Sequence, residues 1–300
     1  MAKKVRAFIY WLYWQPYYFL FSKKFGKENI IVCECYVKYG VFSIKKNNWG
    51  DDINKFFIEY CTNKKVFFVP YSKVHINIES PCFLLIGSIV GFYDLNNKYI
   101  YGSGVMDPSK GVRGIPRKIY SVRGPKTRQI LLNAGIDCPE HYGDPALLLP
   151  VFYKPQRPKH NKPVIIPNMG SFEDSMSQIN SLTKYIDGVL LDLRKYENWT
   201  NVIEVIAGAS FVISESLHGL IIAETYSVPN AWVEFKEHPD YWNFKFEDYY
   251  ESIGKNEKSV RVFENHDMTK LQRKVKEWQR GDIDYKCMLA VFPFLYDQRN

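Results

Sequence analysis

The chain has 300 residues, of which 46% are hydrophobic and 24% charged, with 7 Trp, 22 Tyr and 20 Phe and a formal net charge of +8. That balance excludes a disordered, collagen-like or coiled-coil chain and suits one large domain or two ordinary ones. Residues 1–27 hold Lys3, Lys4, Arg6, Lys23, Lys24 and Lys27 and no acid, which leaves 34 basic against 32 acidic residues over 28–300. A nearly neutral body excludes the broad basic face of a nucleic-acid binder.

From Phe8 to Phe21 the chain reads FIYWLYWQPYYFLF, nine aromatics in 14 residues. The run is too short to span a bilayer, which takes roughly 20 apolar residues. Interrupted by Pro16 and followed by no small-residue cleavage site, it is a poor signal peptide. Two readings fit it: contact with a membrane surface or lipid substrate, or a first strand and turn packed in the core.

Downstream, apolar runs alternate with amphipathic stretches, the α/β pattern. Residues 30–37, 66–70, 83–90, 98–104 and 118–124 read as strands, and 50–61 and 125–135 as helices, the latter opened by Pro125 and closed by Gly135. After DPALLLP (144–150), the polar, Pro-rich stretch 151–163 reads as a linker. Beyond it, 164–167, 188–193, 211–215 and 231–235 read as strands, and 199–209, 216–227 and 267–280 as helices. The expectation is α/β, with two Rossmann-like domains facing each other across a cleft. They span 29–150 and 164–265, flanked by an aromatic and basic segment (1–28) and a helical tail (266–300). Open sheets of this kind take ligands beyond the carboxyl ends of their strands. Cys33, Cys35, Cys61, Cys82, Cys138 and Cys287 form no C-x-x-C pair, which fits buried thiols in a reduced cytoplasm.

Three constellations carry chemistry. Ser214-Glu215-Ser216-Leu217-His218-Gly219 follows a predicted strand and opens a helix. Ser216 suits the N-cap, the free amides there favour an anion, His218 falls in the first turn, and Gly219 permits close approach. The plainer reading is a buried cap with a satisfied histidine. In Ser121 to Thr127, Arg123 stands at a strand end before Gly124 and Pro125. Its guanidinium can fork onto a carboxylate or phosphate, or pair with a carboxylate of the chain such as Asp144. In the third, Asn47-Asn48-Trp49-Gly50-Asp51-Asp52, either acid can cap the helix that follows. Asp51 can instead take a proton from a sugar hydroxyl. Asp282-Ile283-Asp284 lies outside a strand-end context and is weak as a metal motif. No P-loop or dinucleotide fingerprint occurs, and no metal site is expected.

In order along the chain come NNWGDD (47–52), LIGSIV (85–90), YGSG (101–104), SVRGPKT (121–127), YGDPALLLP (142–150), SESLHG (214–219) and FKFEDYYESIG (244–254). In that order the chain resembles the polysaccharide pyruvyl transferase family. The resemblance implies a glycosyltransferase-B-like arrangement of the two domains. It implies transfer of a pyruvyl unit from phosphoenolpyruvate to two hydroxyls of one sugar, forming a cyclic ketal on a lipid-linked precursor of a bacterial capsule or exopolysaccharide. The implied partners are phosphoenolpyruvate and that sugar, without a cofactor, at the cytoplasmic face of a membrane that residues 1–28 touch.

On this view His218 is acid/base or phosphate ligand, Arg123 clamps the donor, and Asp51 or Glu215 accepts the hydroxyl proton. Ser214, Ser216, Leu217, Gly219, Gly124, Asn48, Gly50 and Gly102 complete the substrate contacts. The family's motif is Arg or Lys, then Leu-His; here Ser216 precedes Leu217, one cation fewer. Two rivals share the architecture: a glycosyltransferase using a nucleotide sugar, and a non-catalytic binding homologue.

Overall fold

The computed structural model describes residues 2–34, 48–69, 77–78, 80–262 and 268–294. The predicted strand ends at 35–37 and 70, Cys35, Asn47, residues 263–265 of the second predicted domain, and 266–267 and 295–300 of the predicted tail lie outside these. Two parallel five-stranded sheets organise the chain. The first contains β1 (Ile30–Glu34), β2 (Lys65–Val69), β3 (Cys82–Leu84), β4 (Lys98–Tyr101) and β5 (Lys118–Ser121), in spatial order β2-β1-β3-β4-β5. The second contains β6 (Val164–Ile166), β7 (Val189–Leu190), β8 (Val212–Ser214), β9 (Asn230–Glu234) and β10 (Val260–Arg261), in order β10-β9-β8-β6-β7. Taken from β7 inward, the second order repeats the first, the doubly wound pattern. Each sheet therefore reverses its winding beside its first strand, between β1 and β3 and between β6 and β8. Strands such as Val164-Ile165-Ile166 are apolar throughout because helices cover both faces.

The helices are α1 (Ala2–Phe25), α2 (Trp49–Thr62), α3 (Pro125–Asn133), α4 (Leu149–Phe152), α5 (Ser171–Asp174), α6 (Met176–Tyr185), α7 (Trp199–Ala207), α8 (Leu217–Thr225), α9 (Phe244–Ser252), α10 (Met268–Lys276) and α11 (Tyr285–Ala290). All nine residues of α8 are buried, as an all-round apolar helix requires. From α8, Thr225 donates its hydroxyl to the Leu147 carbonyl, in the 3-10 turn that follows the first sheet, at 2.7 Å. From the opposite direction, the Trp49 indole of α2 donates to the Trp199 carbonyl at 2.9 Å. One apolar core thus runs from α2 to α7 and α8, between the sheets. The chain then returns to the first sheet near its end, where Tyr101 donates to the Met288 carbonyl at 2.9 Å and Phe294 packs on Phe83.

Several elements differ from the sequence reading. Residues 8–21 are helical, not a strand: Trp14 and Tyr18, four apart, bury against Phe67 of β2 while neighbouring residues face solvent. The predicted strand 83–90 stops at Leu84. Asn54 of α2 takes over the backbone of Ile86, accepting its N–H and donating to its carbonyl, both at 2.9 Å, which makes the remainder a loop at the sheet edge. The predicted linker is fastened to α7, where Glu204 accepts the N–H groups of Gln156 and Arg157 at 2.8 and 2.9 Å. The sequence reading also passed over the four-residue α5 and over α6, although Ile179 and Leu182, three apart, bury one face of α6. Among the described residues the five cysteines present are all free thiols.

Candidate functional site

The carboxyl ends of both sheets open onto one cavity of about 420 Å³. Ser88 and Ile89 reach it beyond β3, Pro167 and Asn168 beyond β6, and Ser216, Leu217 and His218 beyond β8. It therefore sits at both points of winding reversal, where strand ends splay and leave room for a ligand.

The turn from β8 into α8 is shaped by Ser214, whose buried hydroxyl accepts from the Ser216 N–H at 3.0 Å and donates to the Ser216 carbonyl at 2.8 Å. Ser216 takes the N-cap position with extended backbone, but its hydroxyl makes no capping bond. It lines the cavity instead, beside Leu217. Gly219 packs under the turn, where a Cβ would crowd Ser214 and come within 2.9 Å of Ile166. Its close approach is to the sheet rather than to a ligand.

His218 is 9% exposed, and its Nε2 is buried with no hydrogen-bond partner among the described residues. Its ring lies flat on Gly50, where any side chain would overlap Nδ1, Cγ and Cε1. Burial pulls its pKa down to about 3, with the charges of Lys245 and Arg123 adding to the effect. The imidazole is accordingly neutral at pH 7.

Across the cavity, Asn48 rather than either aspartate caps α2. Its Oδ1 accepts from Gly50 N–H at 3.3 Å, and its Nδ2 donates to Asp51 Oδ2 at 2.8 Å. Asp51 is left free of capping duty and faces the cavity. Burial pushes its pKa up to about 7, a rise tempered by the Asn48 bond and by Lys245. Asp52 is held elsewhere, by the Tyr196 hydroxyl at 2.6 Å.

Lys245, which sequence reasoning passed over, completes the site. It stands in the first turn of α9, is 6% exposed and lines the cavity. Its Nζ sits 3.4 Å from the Trp242 ring centroid, while His238 stacks on that ring at 4.1 Å and 6°. The two therefore take opposite faces of the indole. Burial, then the charge of Arg123, draws the Lys245 pKa down to about 7. Its motif, FKFEDYYESIG, was recognisable, but nothing local marks the lysine: only the fold brings α9 back to the mouth of α8.

Other predicted site residues have different duties. Arg123 is fully buried and does not line the cavity. Its Nε donates to Asp248 Oδ2 at 3.0 Å, its Nη2 to the Val105 carbonyl at 2.8 Å, and its Nη1 to the Ser88 hydroxyl. Asp248 of α9, not Asp144, is its carboxylate partner, and Asp144 caps the 3-10 turn at Ala146. Arg123 thus supports the cavity wall through Ser88 rather than clamping a ligand. Gly124 lets α9 approach, since a Cβ there would overlap Asp248. Glu215 is fully buried, and its oxygens accept from Phe235 N–H, Asn168 N–H and His238 Nε2 at 2.9, 3.1 and 2.7 Å. These donors hold its pKa below the usual carboxylate value despite burial, so it ties loops together and is no base. Gly102, at φ +73°, turns the chain where a Cβ would strike Pro145. Asp284 caps α11 through Cys287 N–H at 2.9 Å. Among the described residues no group of three or more His, Cys, Asp or Glu is placed to hold a metal.

An uncharacterised protein, L143, of Acanthamoeba polyphaga mimivirus is 29% identical over 230 residues, covering 74% of this chain and 75% of its own length. A family model described as polysaccharide pyruvyl transferase matches residues 12–237. That match takes in both sheets up to the end of β9, and with it Asp51 and His218. A fit over so much of the chain is decisive, and the chain belongs to the polysaccharide pyruvyl transferase family.

Proposed function

We propose that this transferase moves the three-carbon unit of phosphoenolpyruvate onto two hydroxyls of one sugar, forming a cyclic pyruvate ketal and releasing phosphate. One observation carries the reading: a neutral histidine with an unpartnered Nε2, a lysine drawn down to about 7 and a carboxyl raised to about 7 share one cavity.

The donor is a small polyanion. It suits the start of α8, whose amides and dipole favour negative charge, together with the Lys245 ammonium. An anion beside Lys245 and His218 raises both pKa values, so the site gains protons as the donor enters. His218 then delivers its proton to the methylene carbon of the enol, which becomes the methyl group. Positive charge develops at the carbon bearing the phosphate. A sugar hydroxyl attacks that carbon as Asp51 takes its proton. The C–O bond to phosphate then breaks, phosphate leaves with the bonding pair, and the second hydroxyl closes the ketal; its proton restores His218, while Asp51 passes the first one to the departing phosphate. The balance is phosphoenolpyruvate plus a diol giving ketal plus phosphate. Lys245, which lines the same cavity as Ser216, supplies from α9 the positive charge that Ser216 does not bring to the start of α8.

The wider proposal follows the family. The two doubly wound units form a glycosyltransferase-B-like pair, with an acceptor side over 29–150, a linker over 151–163, a donor side over 164–265 and a tail over 266–300. The acceptor is a lipid-linked surface-glycan precursor, met at the cytoplasmic face of the membrane. Mass spectrometry of candidate glycans incubated with the protein and phosphoenolpyruvate tests the reaction. A product heavier by one pyruvate less one water, with phosphate released, supports it. A hexose added from a nucleotide sugar, or tight donor binding without turnover on any glycan, refutes it.

A further inference from the structure

The inner flank of α1 is stitched to the body. Trp14 and Tyr18 are buried against β2, the Tyr18 hydroxyl donates to Ser80 Oγ at 3.0 Å, and Gln15 exchanges bonds of 2.8 and 3.2 Å with the backbone of Asn77. The outer flank is the reverse of what a solvated helix shows. Phe8, Leu12, Phe19 and Leu20 are 59%, 51%, 62% and 62% exposed. At 3.6 residues per turn, Phe8, Leu12 and Phe19 fall in one stripe, with Leu20 and the exposed Lys23 alongside. Trp11, 41% exposed, flanks it, whereas Tyr17 lies towards the inner flank and packs on Phe67.

We propose that this outer flank docks the enzyme on an anionic lipid surface, with α1 lying in the plane of the interface. Charge complementarity selects the occupant. Residues 1–27 hold six basic residues and no acid, three ahead of Phe8 and three beyond Phe21, so the sequence is cationic at both ends of the aromatic run. Anionic headgroups pair with such ends while Phe and Leu enter the acyl boundary and Trp11 sits at headgroup level. A protein surface of mixed charge offers no such match. Among the described residues no helix is long and apolar enough to cross a membrane, and the stitched inner flank holds α1 against the body. It therefore lies on the bilayer. The proposal rests on α1 alone, so failure of the donor chemistry leaves its readout untouched.

The test is flotation of the full chain with phosphatidylcholine vesicles, with and without phosphatidylglycerol. Binding to the anionic vesicles, weakened by salt, is expected. Phe19→Ser/Leu20→Ser reduces affinity by about tenfold or more, as loss of two buried apolar side chains requires, with an unchanged circular dichroism spectrum. Lys23→Glu/Lys24→Glu lowers the affinity for anionic vesicles and shrinks its salt dependence. Brominated lipid quenches tryptophan emission, and Trp11→Phe loses most of that quenching, since Trp14 is buried. Absence of binding to anionic vesicles, or unaltered binding by the serine variant, overturns the proposal. So does a dimer that the serine variant dissociates, which assigns the flank to a second copy of the chain.

Discussion

Gly50 lies flat against the imidazole of His218, although 168 positions separate them in the chain. The first turn of α2 and the first turn of α8 meet at this contact, and nothing larger than hydrogen fits between them. Gly50→Ala therefore displaces the ring rather than unfolding the helix. We expect kcat/KM for phosphoenolpyruvate to fall by about 100-fold, the effect of misplacing a reacting group by roughly 1 Å. The melting temperature should move far less, and a variant of near wild-type activity would show that the ring position is unimportant.

His218 is kept in the cavity at a cost to stability, because a buried ring nitrogen without a partner loses its hydration. His218→Leu fills similar volume without that polar atom. Chemical denaturation should show unchanged stability or a gain of about 1 kcal/mol. Turnover should drop by about 100-fold or more, the contribution of a general acid. A variant that is both unstable and active would reverse the assignment.

The buried charges predict how stability and donor binding follow pH. Lys245 has its pKa drawn down to about 7 in the folded chain, from an ordinary value of 10.5. Between those values the unfolded chain binds more protons, so this lysine makes stability rise with pH from about 7 to 10.5. His218, at about 3 when folded against 6.5, makes stability fall as pH drops from 6.5 towards 3. Asp51 acts in the opposite sense, since its folded pKa near 7 against 3.8 adds stability that is lost as pH rises through that window. Donor binding recharges Lys245 and His218, so it takes up protons above pH 7. Calorimetry in two buffers of different ionisation heat should detect the uptake. The KM for phosphoenolpyruvate should climb with alkaline pH, approaching about tenfold per unit.

Lys245 and Ser216 line the same cavity from different helices. Lys245→Met should raise the donor KM more than it lowers kcat, and should stabilise the folded chain near pH 7 by removing a buried ammonium. Adding Ser216→Lys to that variant should recover part of the lost affinity, because the charge then stands at the start of α8. No recovery in the double variant, with both proteins folded, would place the donor away from this helix.

Arg123→Lys is not a mild change. A lysine cannot bridge Asp248, Val105 and Ser88 at once. The Asp248 carboxylate, which also accepts from Thr127 N–H at 2.8 Å, keeps only part of its partnership. Loss of about 3 kcal/mol is expected, in the range for breaking a buried ion pair, measured by urea denaturation. If Arg123 held the donor directly, stability would survive and only the KM would suffer.

Local pattern was enough for part of this molecule. The strand-turn-helix around Ser214 to Gly219 was legible because its strand, cap and helix are contiguous, and position in such a unit decides that His218 faces the sheet edge. Asn48 to Asp51 was legible for the same reason, although which residue caps α2 depended on side-chain reach. Aromatic density alone could not set the period of residues 8–21, and it was Phe67 of β2 that determined which flank of a helix is buried. The pairing of Arg123 with Asp248 spans 125 positions and arises only when α9 packs on α3. The same crossing delivers Lys245. By itself the sequence determined two runs of α/β alternation and two of the three chemical groups, because periodicity and capping are properties of neighbours. Only the tertiary structure decided which charges face the cavity, because burial and ion pairing depend on residues that meet from distant parts of the chain.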